Sequence, residues 1–222
     1  MKKIPLFVDL RGKLVVVIGG GKVAQRKIKA LLRYGAKVKV YEPKPTQELL
    51  SLRERGVEII TRKVEIEDLD EVVSDAAMVI VATNDDKLNR EIGEALRHRN
   101  ILLNVATSYE LSTAIFPAVL ELNSVIIAIS TSGLSPFLAS YLKNKIREGL
   151  EREVRVLAEI MTYVRANLKS WKLPIEAKRA AYSSVIRDSE VVDLALRGLI
   201  DDAKEKALKK ALKTLIDMGF MS

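Results

Sequence analysis

The chain has 222 residues, 48% of them hydrophobic and 30% charged, with no Cys and a single His. That composition suits one or two small folded domains and excludes disorder, a disulfide framework, thiolate catalysis and metal cages built from thiolates or several imidazoles, so no metal site is expected. The 37 Lys+Arg residues outnumber the 29 Asp+Glu residues, a net charge of +8, which favours an anionic partner.

The excess is spread along the chain, with 22 basic and 17 acidic residues in 1–145 and 15 and 12 in 146–222, so there is no basic arm. With 5% aromatic residues there is little material for a base-stacking platform, and no nucleic-acid partner is expected. No run approaches the ~20 apolar residues of a membrane span, and the opening residues have no long apolar core before Asp9. The expectation is a soluble, cytoplasmic protein with no membrane partner.

Along the first hundred residues, short β-branched runs alternate with amphipathic stretches, the pattern of an α/β fold with a parallel sheet. Lys13 to Ile18 reads as a central strand and runs into Gly19-Gly20-Gly21. Ala24, Ile28, Leu31 and Leu32 then form one helical stripe that Gly35 terminates. Ala36 to Tyr41 is a second strand, Gln47 to Arg55 a helix, Val57 to Thr61 a third strand and Ala77 to Ala82 a fourth. The polar turn Thr83-Asn84-Asp85-Asp86 leads into a helix carrying Leu88, Ile92, Ala95 and Leu96, and Ile101 to Val105 closes a doubly wound unit.

From Ile115 the pattern changes. Ile115 to Leu122 and Val125 to Ser130 follow each other across Asn123-Ser124 and read as a hairpin. Ser135-Pro136 opens a helix with an apolar stripe at Leu138, Leu142, Ile146 and Leu150, Ser acting as N-cap and Pro at the first helical position. The remainder is helical, interrupted at Pro174. The expected organisation is a Rossmann domain over 1–108, a connecting segment over 109–147 and a small helical domain over 148–222.

The motif with chemical content is Gly19-Gly20-Gly21-Lys22-Val23-Ala24, a G-x-G-x-x-A pattern between a strand and a helix. Gly19 permits the tight turn, Gly21 the approach of a pyrophosphate and Ala24 close helix packing, while the helix start offers free N–H groups. A glycine turn needed only for packing is the competing reading. Glu42 ends the second strand where a carboxylate accepts from both ribose hydroxyls and repels a 2′-phosphate, which favours NAD over NADP. Thr83, Asn84 and Asn104 lie at strand ends on the same sheet edge and are cofactor candidates. Asp85 and Asp86 read equally well as caps of the following helix.

These blocks occur in order together with Pro5-Leu6-Phe7, Leu10-Arg11-Gly12, Gln25-Arg26-Lys27, Asn89, Asn104-Val105, Ile115-Phe116-Pro117-Ala118 and Ala128-Ile129-Ser130-Thr131-Ser132-Gly133-Leu134-Ser135-Pro136. The set resembles the precorrin-2 dehydrogenase module of the siroheme synthase family, closely over about residues 3 to 150 and loosely over the helical tail. The resemblance implies NAD-dependent oxidation of precorrin-2 to sirohydrochlorin in siroheme biosynthesis. It also implies a homodimer joined largely through residues from about Tyr109 to Lys145, and a helical tail that closes the cleft; some members also insert Fe²⁺.

The family commonly has an aspartate shortly after the Asn-Val pair, where this chain has Thr107 followed by Ser108. A hydroxyl cannot serve as base at neutral pH, so this departure sets ferrochelatase activity in doubt and leaves Glu110, Asp85 or Asp86 as the acids that could replace the aspartate, while dehydrogenation, which rests on orientation, survives. Thr131 stands where the family often has serine; Thr107 and Thr131 are therefore the residues expected to face the tetrapyrrole. Two other readings compete: a carrier or sensor that binds NAD and tetrapyrrole without turnover, and a nucleotide-sensing module that docks on nucleic acid.

Overall fold

Four of the five residues of the run Leu14–Ile18 (β1) are buried, as both faces of a central parallel strand require. The computed structural model describes residues 3–221 and divides into a unit ending at Phe116 and a unit beginning at Pro117.

In the first unit β1 lies between Lys37–Tyr41 (β2) and Met78–Val81 (β4), with Glu58–Ile60 (β3) outside β2 and Leu102–Val105 (β5) outside β4; every pairing is parallel and the order is β3-β2-β1-β4-β5. This is the doubly wound order, and the strand sequence reverses between β1 and β4. Lys22–Arg33 (α1) packs its buried face of Ala24, Ile28 and Leu31 on one side of the sheet. Asp86–Leu96 (α4) packs Ile92 and Leu96 on the other.

Local chemistry sets the helix ends. Gly35, at φ +74, donates to Leu32 O and Ala36 donates to Leu31 O, closing α1 with paired left-handed-cap hydrogen bonds. Asp85 accepts from Leu88 N–H at 3.0 Å and caps α4. The helix expected over Gln47 to Arg55 is instead one α-turn, Gln47–Leu50 (α2), tightening into a 3₁₀ segment over Ser51–Arg55. Leu49 and Leu52, three apart, are both buried, and three-residue spacing is what a 3₁₀ turn aligns. Between β3 and β4 a 3₁₀ turn over Ile66–Asp68, closed by a reciprocal Glu65/Asp68 capping box, leads into the short helix Leu69–Val72 (α3), which buries Leu69 and Val72.

β5 is one of the sheet's two edge strands, and the returning segment covers it. Leu103 N–H donates to Thr113 Oγ1 at 2.8 Å and Val105 N–H to Ser112 Oγ at 2.9 Å, while Ala114 N–H donates to Leu103 O at 2.9 Å. The edge is thereby denied to another chain.

In the second unit Ala118–Leu122 (β6) and Val125–Ile129 (β7) form an antiparallel hairpin that buries Leu120 and Leu122 and turns at Asn123, φ +53. Pro136–Leu168 (α5) is one unbroken helix capped by Ser135, whose hydroxyl accepts from Leu138 N–H. It runs through position 147, the boundary expected between the connecting segment and the helical domain.

Ile175–Ile186 (α6), Ser189–Leu196 (α7) and Ile200–Asp217 (α8) complete the unit, with Ala177, Ala181, Ala203, Ala207 and Ala211 all buried against Ile160, Val164 and Leu168 of α5. The small side chains let these helices approach closely. The stripe expected at the start of α5 forms, but Leu138, Leu142 and Leu150 remain 38%, 37% and 45% exposed. Among the described residues no helix is long and apolar enough to cross a membrane.

Candidate functional site

The site is built at the carboxyl edge of the first unit's sheet, where β1 and β4 diverge. Gly19 has φ +102, and a Cβ placed on it would lie 2.4 Å from Ala82 O and 2.7 Å from Thr83 N. The two strand ends therefore touch backbone to backbone, and only glycine satisfies both the dihedral and the distance. Ala24 is fully buried beneath the turn.

Gly20 N–H donates to Glu42 Oε2 at 2.7 Å and Lys44 N–H to Glu42 Oε1 at 3.0 Å. Glu42, half-buried, is thus oriented by one backbone donor on each oxygen and keeps further acceptor capacity. A Cβ on Gly20 would strike Leu49 Cδ2 at 2.5 Å and Glu42 Cγ at 2.8 Å. The loop is further tied by Gln25, 4% exposed, whose Nε2 donates to Gly20 O at 2.9 Å and Thr46 Oγ1 at 3.2 Å. This polar residue on the inward face of α1 is a supporting element that the glycine pattern does not announce; its place between Ala24 and Ile28 is the available signal.

Gly21 differs from its neighbours. Its φ is −69, and a Cβ there meets nothing within 4 Å, so the space it leaves is open. It is the N-cap of α1, which receives no side-chain cap and has no acid in its first turn. Free N–H groups, the positive helix end and the exposed Lys22 beside them suit a pyrophosphate, and Glu42 suits a ribose diol, so these residues fit a nicotinamide dinucleotide. Val23, 46% exposed, lies on the outer side of the same turn.

At the end of β4, Asn89 is 0% exposed and devotes both ends of its amide to Thr83. Its Oδ1 accepts from Thr83 N–H at 3.0 Å and Thr83 Oγ1 at 2.7 Å, and its Nδ2 donates to Thr83 O at 3.0 Å. Thr83 is half-buried and Asn84 exposed beside it.

At the end of β5, Asn104 is 5% exposed. Its Nδ2 donates to Ala114 O at 3.0 Å and its Oδ1 accepts from Lys27 Nζ, so both functions of the amide are engaged inside the protein. Lys27, reached from the second turn of α1, also lies 4.6 Å from the centroid of the Phe116 ring. Burial, with a smaller effect from the Arg26 charge, pulls the Lys27 ammonium down to about 8. Gly19–Gly21, Glu42, Thr83, Asn84 and Asn104 thus share one edge of the first unit. Thr107 is exposed in the turn that follows β5.

Thr131 belongs to the second unit, where its hydroxyl donates to Ser135 O at 2.9 Å and accepts from Ser135 N–H at 3.1 Å. It braces the turn carrying Ser132 at φ +54 and Gly133 at φ +89 and sets Ser135 as the cap of α5. Among the described residues no group of three His, Cys, Asp or Glu is arranged to hold a metal ion.

A family model for NAD(P)-binding domains matches residues 6–118. The chain is 36% identical over 212 residues to siroheme synthase 1 of Klebsiella pneumoniae, covering 96% of this chain and 44% of that protein. It is 30% identical over 211 residues to the siroheme synthase of Pseudomonas fluorescens, covering 95% of this chain and 44% of that one. It therefore spans less than half the length of these curated relatives. Among solved structures, SirC, precorrin-2 dehydrogenase, superposes with a TM-score of 0.74 at 24% identity, covering 95% of this chain and 99% of that chain; the likeness is one of fold.

Proposed function

Because the chain belongs to the NAD(P)-binding family matched over residues 6–118, we propose that it is an NAD⁺-dependent oxidoreductase that converts precorrin-2 to sirohydrochlorin. The observation that carries the cofactor half is the Glu42 carboxylate held by Gly20 N–H at 2.7 Å beside the uncapped start of α1. The substrate half rests on similarity to siroheme synthases over nearly the whole chain and on the net charge of +8, which suits an acid-rich tetrapyrrole.

In this reading Gly19, Gly20 and Gly21 shape the turn that receives the pyrophosphate. Lys22 and Val23 present the first N–H groups of α1, Ala24 seats the helix, and Glu42 accepts from the ribose hydroxyls. Thr83, Asn84 and Asn104 line the nicotinamide side. Bound NAD⁺ supplies the electron acceptor of the oxidation. Thr107, exposed in the turn after β5, faces the tetrapyrrole from the first unit, and because it is not a carboxylate, iron insertion is not part of the proposed activity; Thr131 acts within the second unit, bracing the turn before α5. The uncovered Phe137, Leu138, Tyr141 and Leu142 of α5, exposed by 85%, 38%, 58% and 37%, support a homodimer in which a second copy covers them.

The test is anaerobic incubation with precorrin-2 and NAD⁺ or NADP⁺, following NAD(P)H and the tetrapyrrole spectrum, with Fe²⁺ added after oxidation. The expected result is catalytic NADH formation, about tenfold or more favoured over NADPH by the charge of Glu42 against a 2′-phosphate. Binding of both ligands without NADH over many equivalents overturns the dehydrogenase and leaves a carrier or sensor.

A further inference from the structure

Lys27 is a largely buried ammonium, and among the described residues no carboxylate lies within ion-pair distance of it. Buried lysines are ordinarily paired with an acid, because an isolated charge is costly to desolvate. Its neighbours are neutral: the Asn104 amide oxygen receives its N–H, and the Phe116 ring lies 4.6 Å from Nζ. Asn104 cannot turn its nitrogen toward Lys27 without losing the 3.0 Å bond from Nδ2 to Ala114 O. A hydrogen-bond acceptor is therefore fixed on the lysine, at the same sheet edge as the glycine turn and Thr83.

We propose that Lys27 takes up the proton released in the oxidation. The inference rests on the dehydrogenase reading above. Removal of two hydrogens from the macrocycle breaks two bonds. One hydrogen leaves with its bonding pair to the nicotinamide dinucleotide; the other leaves as a proton, its bonding electrons staying in the ring system, and forms a new N–H bond at Nζ. The neutral amine can do this while one of its own N–H groups still donates to Asn104, which leaves the lone pair free. Asn104 acts as a positioning residue.

The amine is available near neutrality because burial and Arg26 bring its pKa to about 8, so about a tenth is neutral at pH 7 and most of it above pH 9. Arg26 on α1 is the charged group acting on Lys27 and does not titrate in this range. Toward it β5 presents the amide of Asn104 and the returning segment the ring of Phe116, both uncharged. A base of this kind contributes about 10²–10⁴-fold to rate.

Lys27→Arg separates the roles, since it keeps a cation and a donor for Asn104 but does not release a proton in the accessible pH range. The expected result is that Lys27→Arg and Lys27→Met bind NAD⁺ within about threefold of wild type while single-turnover oxidation falls about 100-fold or more. The wild-type rate should rise about tenfold per pH unit toward a plateau above pH 8, and the variants should lack that limb. Independently of turnover, modification of Lys27 by an amine-specific reagent, read by mass spectrometry across pH, should have its midpoint near 8.

A Lys27→Arg enzyme with wild-type rate and the same limb overturns the proposal and reduces Lys27 to a support for Asn104. A modification midpoint at 10 or above overturns it as well. If wild type forms no NADH from precorrin-2, the dehydrogenase reading itself fails and takes this inference with it, an outcome distinct from an active wild type with an active Lys27→Arg.

Discussion

Replacing Asn89 probes how the end of β4 is held. The amide makes three hydrogen bonds, all to Thr83, at 3.0, 2.7 and 3.0 Å, from a side chain that is 0% exposed. Asn89→Ala removes all three and leaves the half-buried Thr83 N–H without its acceptor. At about 1 kcal/mol net for each bond, the expected loss is about 3 kcal/mol. Asn89→Asp keeps both acceptor bonds but sets an oxygen against Thr83 O where a donor stood, and carries a charge into a dry site. Burial and the facing carbonyl raise the folded-state pKa of that carboxyl above the ordinary carboxylate value. A group so raised contributes stability that is present below its unfolded pKa and is lost as pH rises through the folded one. The Asp variant should therefore be at least as unstable as the Ala variant at pH 7 and should recover relative to wild type as the pH falls toward 4, whereas the Ala deficit stays constant. Urea midpoints from far-UV circular dichroism across pH, with NAD⁺ affinity measured alongside, provide the assay. An Ala variant losing less than about 1 kcal/mol, or an Asp variant matching wild type at pH 7, would refute the reasoning.

Three further results are expected. Gly19→Ala, with its Cβ 2.4 Å from Ala82 O at φ +102, should cost about 3 kcal/mol or more because both obstacles are backbone; Gly21→Ala, which meets nothing within 4 Å, should melt within a few degrees of wild type yet bind NAD⁺ more weakly by calorimetry, and equal NAD⁺ affinity would remove Gly21 from the cofactor site. For Lys27, the folded pKa of about 8 lies below the ordinary lysine value of 10.5, so the unfolded chain binds more protons between those values and wild type should gain stability over that window. Urea midpoints at pH 7 and 9.5 should show wild type gaining on Lys27→Met, and parallel curves would contradict the burial of the charge.

The readable parts of this molecule are those fixed by neighbours in sequence. β1 is legible because a strand covered on both faces has no polar position to spare, and Leu14–Ile18 has none. Gly35 and Ser135 announce the end of α1 and the start of α5 because capping is decided within three or four residues. Glu42 is legible from its distance to the glycines. Lys27 is not, since the amide it meets is 77 residues away, and nothing at position 27 records that β5 will stand opposite. The crossover between β3 and β4 is hard to read for another reason: its α-turn spans only Leu69–Val72, too short for a helical period to emerge. The stripe at Leu138, Leu142 and Leu150 shows the limit of periodicity itself, which states that a face is apolar but not what covers it.

The same distinction applies to the candidate site residues. Thr83, Asn104 and Thr131 were identifiable by position, yet their polar groups are engaged by Asn89, by Lys27 and Ala114, and by Ser135. Such groups give shape and rigidity to the surfaces they belong to. The groups with capacity left for a ligand are the first N–H groups of α1, the outer lone pairs of Glu42 and the amine of Lys27. Exchanging a hydroxyl at Thr83 or Thr131 should therefore disturb local geometry first and ligand contact second, whereas in the proposed reading a change at Gly21 or Glu42 should act on cofactor binding, and one at Lys27 on turnover.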